Sequence, residues 1–117
     1  MIFYDEEARK SWESTKKINE DEYGKIIFEY AESCMNLLEQ RMGEGMQLED
    51  IWKSTLFEAK GHDKQSAYSA SIAHNLIASC WVHGEEFARL ATKIYEHYSN
   101  PGWQKFFYER RKGKWND

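Results

Sequence analysis

Apolar positions recur at three- and four-residue intervals along most of the chain, and the longest such run is its strongest structural signal. Tyr23, Ile26, Ile27, Tyr30, Cys34, Leu37, Leu38 and Met42 fall on one helical stripe. Asn19 is placed to cap this helix, with Glu22 three positions on as in a capping box, and Gly43-Glu44-Gly45 stops it near Met42. Ahead of it, Asp5 to about Lys17 reads as a short helix whose first-turn acids suit the helix dipole. A third helix covers Leu48 to Ala59, burying Leu48, Ile51, Trp52 and Leu56, and ends at Gly61. Asp63 then caps a fourth, Lys64 to about His83. Its many small residues, among them Ser66, Ala67, Ser69, Ala70, Ala73 and Ala78, predict a central helix that neighbours approach closely. A fifth, Glu85 to Tyr98, buries Phe87, Leu90, Ala91 and Ile94. Ser99-Asn100-Pro101-Gly102 is a turn, and Trp103 to Arg111 form a last short helix.

No alternating β-branched run and no Asn-Gly or Asp-Gly hairpin turn occurs. The expectation is therefore all-α: a compact bundle of four to six helices, a single domain over 1–117, with 103–117 able to form a partly extended basic-aromatic tail. A chain of 117 residues, 41% hydrophobic and with one proline, can bury one core and is not a disordered polyanion. Cys34 and Cys80 each sit among apolar neighbours, as buried thiols of a reducing compartment do, so the expected location is the cytoplasm. No apolar run is long enough to cross a membrane, and the N-terminus does not read as a secretory signal.

Charge is unevenly spread. Net charge is −4 overall, but residues 1–50 hold six basic and thirteen acidic side chains, whereas 101–117 hold five basic and two acidic. An acidic half thus precedes a basic, aromatic end, which suggests either internal docking or a charged partner surface.

Signatures of catalysis are weak. The four histidines show no His-x3-His or Glu-x-x-His spacing, and no Cys-x-x-Cys occurs, so neither metal nor cofactor is expected. Glu29-x-x-Glu32 resembles the first half of the magnesium motif of MazG-type nucleotide pyrophosphohydrolases, but the Glu-x-x-Asp half is missing. No Gly-x-Ser-x-Gly elbow accompanies the serines of 66–79, and Gly43-Glu44-Gly45 lacks the lysine of a phosphate loop. The chain does not read as an enzyme.

A binding role fits better. An acidic helix face of Glu22, Glu29, Glu32 and Glu39 would steer a protein partner with a basic surface, and the aromatic residues Trp12, Trp103, Tyr108 and Trp115 would anchor it. In size and charge the chain resembles small acidic phage inhibitors of restriction and CRISPR systems, which implies an inhibitor of a nucleic-acid-handling protein. The alternative is a DNA- or RNA-binding protein. It would use the start of the fourth helix (Lys64, Gln65) or the basic-aromatic tail (Lys105, Arg110, Arg111, Lys112), although the net acidic remainder repels a polyanion. Self-association, acidic half to basic tail, would give a homo-oligomer.

Overall fold

Helix caps set the element order. In the computed structural model, which describes residues 1–98 with the side chains of 92–98 excepted, Asp5 accepts from the Ala8 N–H and opens α1 (Glu6–Ile18). Asp21, not Asn19, opens α2 (Glu22–Gly43) by accepting from the Gly24 N–H. Asn19 instead closes α1, its side chain donating to the Thr15 carbonyl. The two helices turn so tightly that a Cβ on Gly24 would run into the Asn19 carbonyl. The end of α2 is a Schellman turn: Gly45 takes φ +90°, Met46 N–H donates to Arg41 O and Gly45 N–H to Met42 O.

The helix α3 spans Leu48–Glu58, and a 3-10 turn follows at His62–Lys64. The fourth helix begins later than expected. Asp63 lies inside the 3-10 turn, while Ser66 and Ser69 form the reciprocal capping box that opens α4 (Ala67–Cys80). It also stops earlier, at Cys80, because Trp81 is extended. There the backbone pairs with the N-terminal segment: Tyr4 N–H donates to Cys80 O and Val82 N–H to Ile2 O, about a Phe3–Trp81 bridge. After this, α5 (Gly84–Tyr98) closes the described fold. A Cβ on Gly84 would meet the Ala78 carbonyl, so this corner also needs glycine.

Among the described residues the fold is five α-helices with no strand, and α4 packs against α1, α2 and α5. Its small side chains make this possible: Ser69, Ala70 and Ala73 are buried at the contacts. The buried stripe of α2 is wider than the sequence pattern suggests. Phe28, Ala31 and Met35 join Ile27, Tyr30, Cys34 and Leu38, whereas Tyr23 is exposed, because α2 is packed by α1, α3 and α4 together. His74 is buried with its ring 6.1 Å from Tyr30 and 5.7 Å from Phe87. Cys34 and Cys80 are buried and free, and burial pushes the Cys34 thiol far above its ordinary pKa. No helix among the described residues is long and apolar enough to cross a membrane.

Three sequence-predicted site residues prove to be structural. Trp12 is not an exposed anchor but 2% exposed, its ring 5.0 Å from Phe28 edge-on and 5.9 Å from Phe3. It lies on the face that α1 turns to the core, and so the N-terminal helix is docked. Gln65 is fully buried, its amide donating to the carbonyls of Ile26 and Gly61. It pins the α3–α4 turn to α2 and cannot read a base. Glu39, expected on a solvated acidic face, accepts from Trp81 Nε1 and from the Ile2 N–H, both at 2.7 Å, and lies 3.5 Å from the Met1 ammonium. It clamps the N-terminal segment onto the α4–α5 corner. The expected last helix, 103–111, lies outside the described residues.

Candidate functional site

A groove of about 1170 Å³ runs between α1 and α2. One wall is the end of α1, with Glu13, Lys16 and Lys17, continuing through Asn19 and Glu20 at the corner. The floor and other wall are one face of α2: Lys25, Phe28, Glu29, Glu32, Ser33, Asn36 and Leu37. Lys60, just past α3, closes the far side. The α2 positions repeat every three to four residues, so they form a single stripe of three turns. Phe28 is buried against Trp12, so of the two apolar lining residues it is the half-buried Leu37 that presents surface to the groove.

Two expected site residues, Glu29 and Glu32, are in this groove, but not as an uncompensated acidic face. Lys16 reaches across from α1 to Glu32 at 2.5 Å, and Lys60 lies 3.8 Å from Glu29. The Lys60 N–H also donates to Ser33 Oγ, tying the α3 end to α2. Four carboxylates and four lysines line the groove, so its formal charge balances. Exposed ion pairs of this kind hold side chains in register and contribute at most about 1 kcal/mol each.

Glu22 is exposed in the first turn of α2, three positions before the lining residue Lys25 and so on its side of the helix. Lys64 is exposed in the 3-10 turn, while its neighbour Gln65 is withdrawn into the core. Trp103, Tyr108 and Trp115, and with them Lys105, Arg110, Arg111 and Lys112, lie outside the described residues. Exposed apolar side chains occur instead at positions the sequence pattern did not single out as anchors, Tyr23 among them being expected on the apolar stripe of α2. Ile18 is 82% exposed and Tyr23 45% exposed, and they flank the α1–α2 corner at one end of the groove. Tyr4 and Tyr68 are also exposed. The lysines of the wall were legible only as last-turn partners of the α1 dipole, because nothing local marks Lys16 as reaching α2.

Elsewhere, side-chain contacts serve the fold. Arg41 donates to Thr55 Oγ1 at 2.7 Å and pairs with Glu58, locking α2 to α3. Arg9 pairs with Glu6 and Glu13 along α1, which holds the Glu6 carboxyl below the usual carboxylate range. No group of three His, Cys, Asp or Glu side chains among the described residues is arranged to hold a metal ion.

Fold and site together define a small all-helical domain with a side-chain-lined groove between α1 and α2. Its family is specific: residues 2–102 match the family model described as Type I Thoeris inhibitor Tad4, and the chain belongs to that family. Phage anti-defence inhibition is therefore its class of function, and another protein its class of partner. Comparison with curated proteins and with solved structures finds no match.

Proposed function

We propose that this chain disables a Type I Thoeris system as a stoichiometric, non-catalytic inhibitor that binds one of the system's proteins in the cytoplasm. Family membership across residues 2–102, which takes in every described helix, is the observation that carries the reading. The α1–α2 groove is the contact surface. Its half-buried Leu37 supplies apolar area, Ile18 and Tyr23 are anchors at its corner, and Glu29 and Glu32, fixed by their lysines, supply register. Anchoring by a few large side chains inside a charged rim is how small interfaces reach useful affinity.

The test is a titration of purified Type I Thoeris proteins with the inhibitor, reading both binding and residual defence activity. Activity should fall linearly and end near one inhibitor per target. Complete loss at a small fraction of one equivalent would reveal turnover and overturn the non-catalytic reading. Binding to none of the Thoeris proteins would overturn the choice of partner.

A further inference from the structure

We propose that the end of the bundle formed by the α1–α2 corner and the start of α4 is covered by the chain's own residues 99–117, a segment that any protein docking on the corner must displace. The surface of this end comes first. Ile18 is 82% exposed, Tyr23 45% and Tyr68 72%. Tyr23 and Tyr68 share the end because the Gln65 amide, three residues before Tyr68, donates to the carbonyl of Ile26, three residues after Tyr23. Ile18 precedes the corner at which the Asn19 carbonyl closes on Gly24. Large side chains that reach into water at one place are apolar area that a covering segment withdraws from it.

The course of α5 decides the occupant. Only Trp81–His83 separates α4 from α5, and the two helices pack on each other, with the Phe87 ring 5.7 Å from His74. The chain therefore turns back, and α5 runs toward the start of α4. Its 15 residues rise about 22 Å and the 14 of α4 about 21 Å, so Tyr98 is level with Ala67. The chain thus leaves α5 at the end that carries Tyr68. Met1, Ile2 and Tyr4, also exposed, lie at the Trp81 corner, a helix length away.

The composition of 99–117 fits that surface. Five of its nineteen residues are aromatic: Trp103, Phe106, Phe107, Tyr108 and Trp115. Rings of this size bring roughly 150–250 Å² each to bury. Charge agrees in sign. Residues 1–98 hold eleven basic and eighteen acidic side chains, net −7, and 99–117 hold five and two, net +3. At the end itself Lys17, Lys25 and Lys64 stand against Glu20, Asp21, Glu22 and Asp63, net −1, so apolar contact carries the docking and charge does not oppose it. The tether favours this occupant over a second copy of the chain, since a short link holds the segment at an effective concentration on the order of millimolar. The consequence for inhibition rests on the α1–α2 groove being the contact surface: Ile18 and Tyr23 are its anchors, so docking of 99–117 competes with the inhibited protein.

Carbodiimide coupling of the full-length protein, with the monomer isolated and mapped by mass spectrometry, is the test. Lys105, Lys112 or Lys114 should couple to Glu20 or Glu22 within one chain. Coupling of these lysines only to acids of the opposite end, such as Glu44 or Glu85, only between two chains, or not at all, overturns the proposal. Hydrogen exchange of the full-length chain gives a second reading. In Phe106→Ser/Phe107→Ser the amides of 17–25 should exchange about tenfold faster than in the wild type, while those of 70–77 in the centre of α4 keep their rate and show the fold intact. Equal rates at 17–25 overturn the proposal. Faster exchange at 70–77 as well would place the rings in the core, which overturns it too. The same variant, its competent fraction raised, should bind the inhibited Thoeris protein about threefold tighter or more. Unchanged affinity beside positive coupling and exchange removes the groove as the contact surface and leaves the covering segment standing. Binding to no Thoeris protein removes the inhibitor reading alone.

Discussion

Glu39 separates a carboxylate that steers from one that holds the fold, and its replacement by alanine distinguishes them. Trp81 is 1% exposed, and its Nε1–H donates to Glu39 Oε1 at 2.7 Å. Removing the acceptor leaves that donor buried and unsatisfied, at about 1–3 kcal/mol. The Ile2 N–H, on an exposed residue, can turn to water and adds little. Hydrogen bonds to charged groups contribute about 1.5–3 kcal/mol, so about 2 kcal/mol of coupling between Glu39 and Trp81 is expected in a cycle of Glu39→Ala, Trp81→Phe and the double variant. With 117 residues the unfolding entropy near the midpoint is about 0.25 kcal/mol/K, so Glu39→Ala should lower Tm by about 8 °C. Urea unfolding followed by tryptophan fluorescence supplies the four stabilities. A coupling below about 0.5 kcal/mol would refute the clamp. An unchanged Tm combined with lost inhibition would return Glu39 to the binding surface.

Glycine substitutions should split by site. Gly24→Ala gains about 1 kcal/mol of helix propensity but drives a methyl into the Asn19 backbone, so the net effect should be a loss of about 1–3 kcal/mol in urea unfolding. Gly43→Ala meets open space and should stabilise by about 0.4–1 kcal/mol. Trp12→Ala should cost about 3–5 kcal/mol in the same assay, a size reserved for core residues and not expected of a surface anchor. Cys34 gives the pH dependence. Its folded pKa is raised by burial, so the thiol stays neutral in the fold while the unfolded chain ionises near its ordinary value of about 8.5. The contribution is fully present below that value and is lost as pH rises, at about 1.4 kcal/mol per pH unit, or about 2 kcal/mol between pH 8.5 and 10. Cys34→Ala should remove that part of the slope.

The helices were legible because their apolar spacing and glycine stops are local signals, and α4 announced its central place through its small side chains. The errors were also local in origin. Asn19 and Asp21 are both good caps two residues apart, and only the close approach of Gly24 to Asn19 decides between them. Asp63 lost to Ser66 because the Ser66–Ser69 pair satisfies two backbone donors at once. The groove itself could not be read, since it is made by Lys16 and Glu32, sixteen residues apart, and by Lys60 closing from another element. Trp12 was misplaced because a lone tryptophan on a polar helix looks like a surface anchor until Phe3 and Phe28 are seen around it.

The acidic half of the chain shows why net charge is a poor guide to a binding face. Asp5 and Asp21 are caps, and Glu6, Glu7, Glu22, Glu49 and Asp50 stand in first turns, where the helix dipole favours a carboxylate. Glu13, Glu29, Glu32 and Glu58 face a lysine or arginine, and Glu39 holds a tryptophan. Most of the negative charge in this half is thus consumed in starting helices and joining them. What distinguishes the α1–α2 groove is local: two paired carboxylates, beside a corner where Lys17, Lys25, Ile18 and Tyr23 face solvent together with Glu20, Asp21 and Glu22. A partner selected by such a surface is recognised by shape and by one or two placed charges. Its affinity should therefore fall only modestly between low and physiological salt, whereas a partner drawn by bulk acidity would lose it steeply.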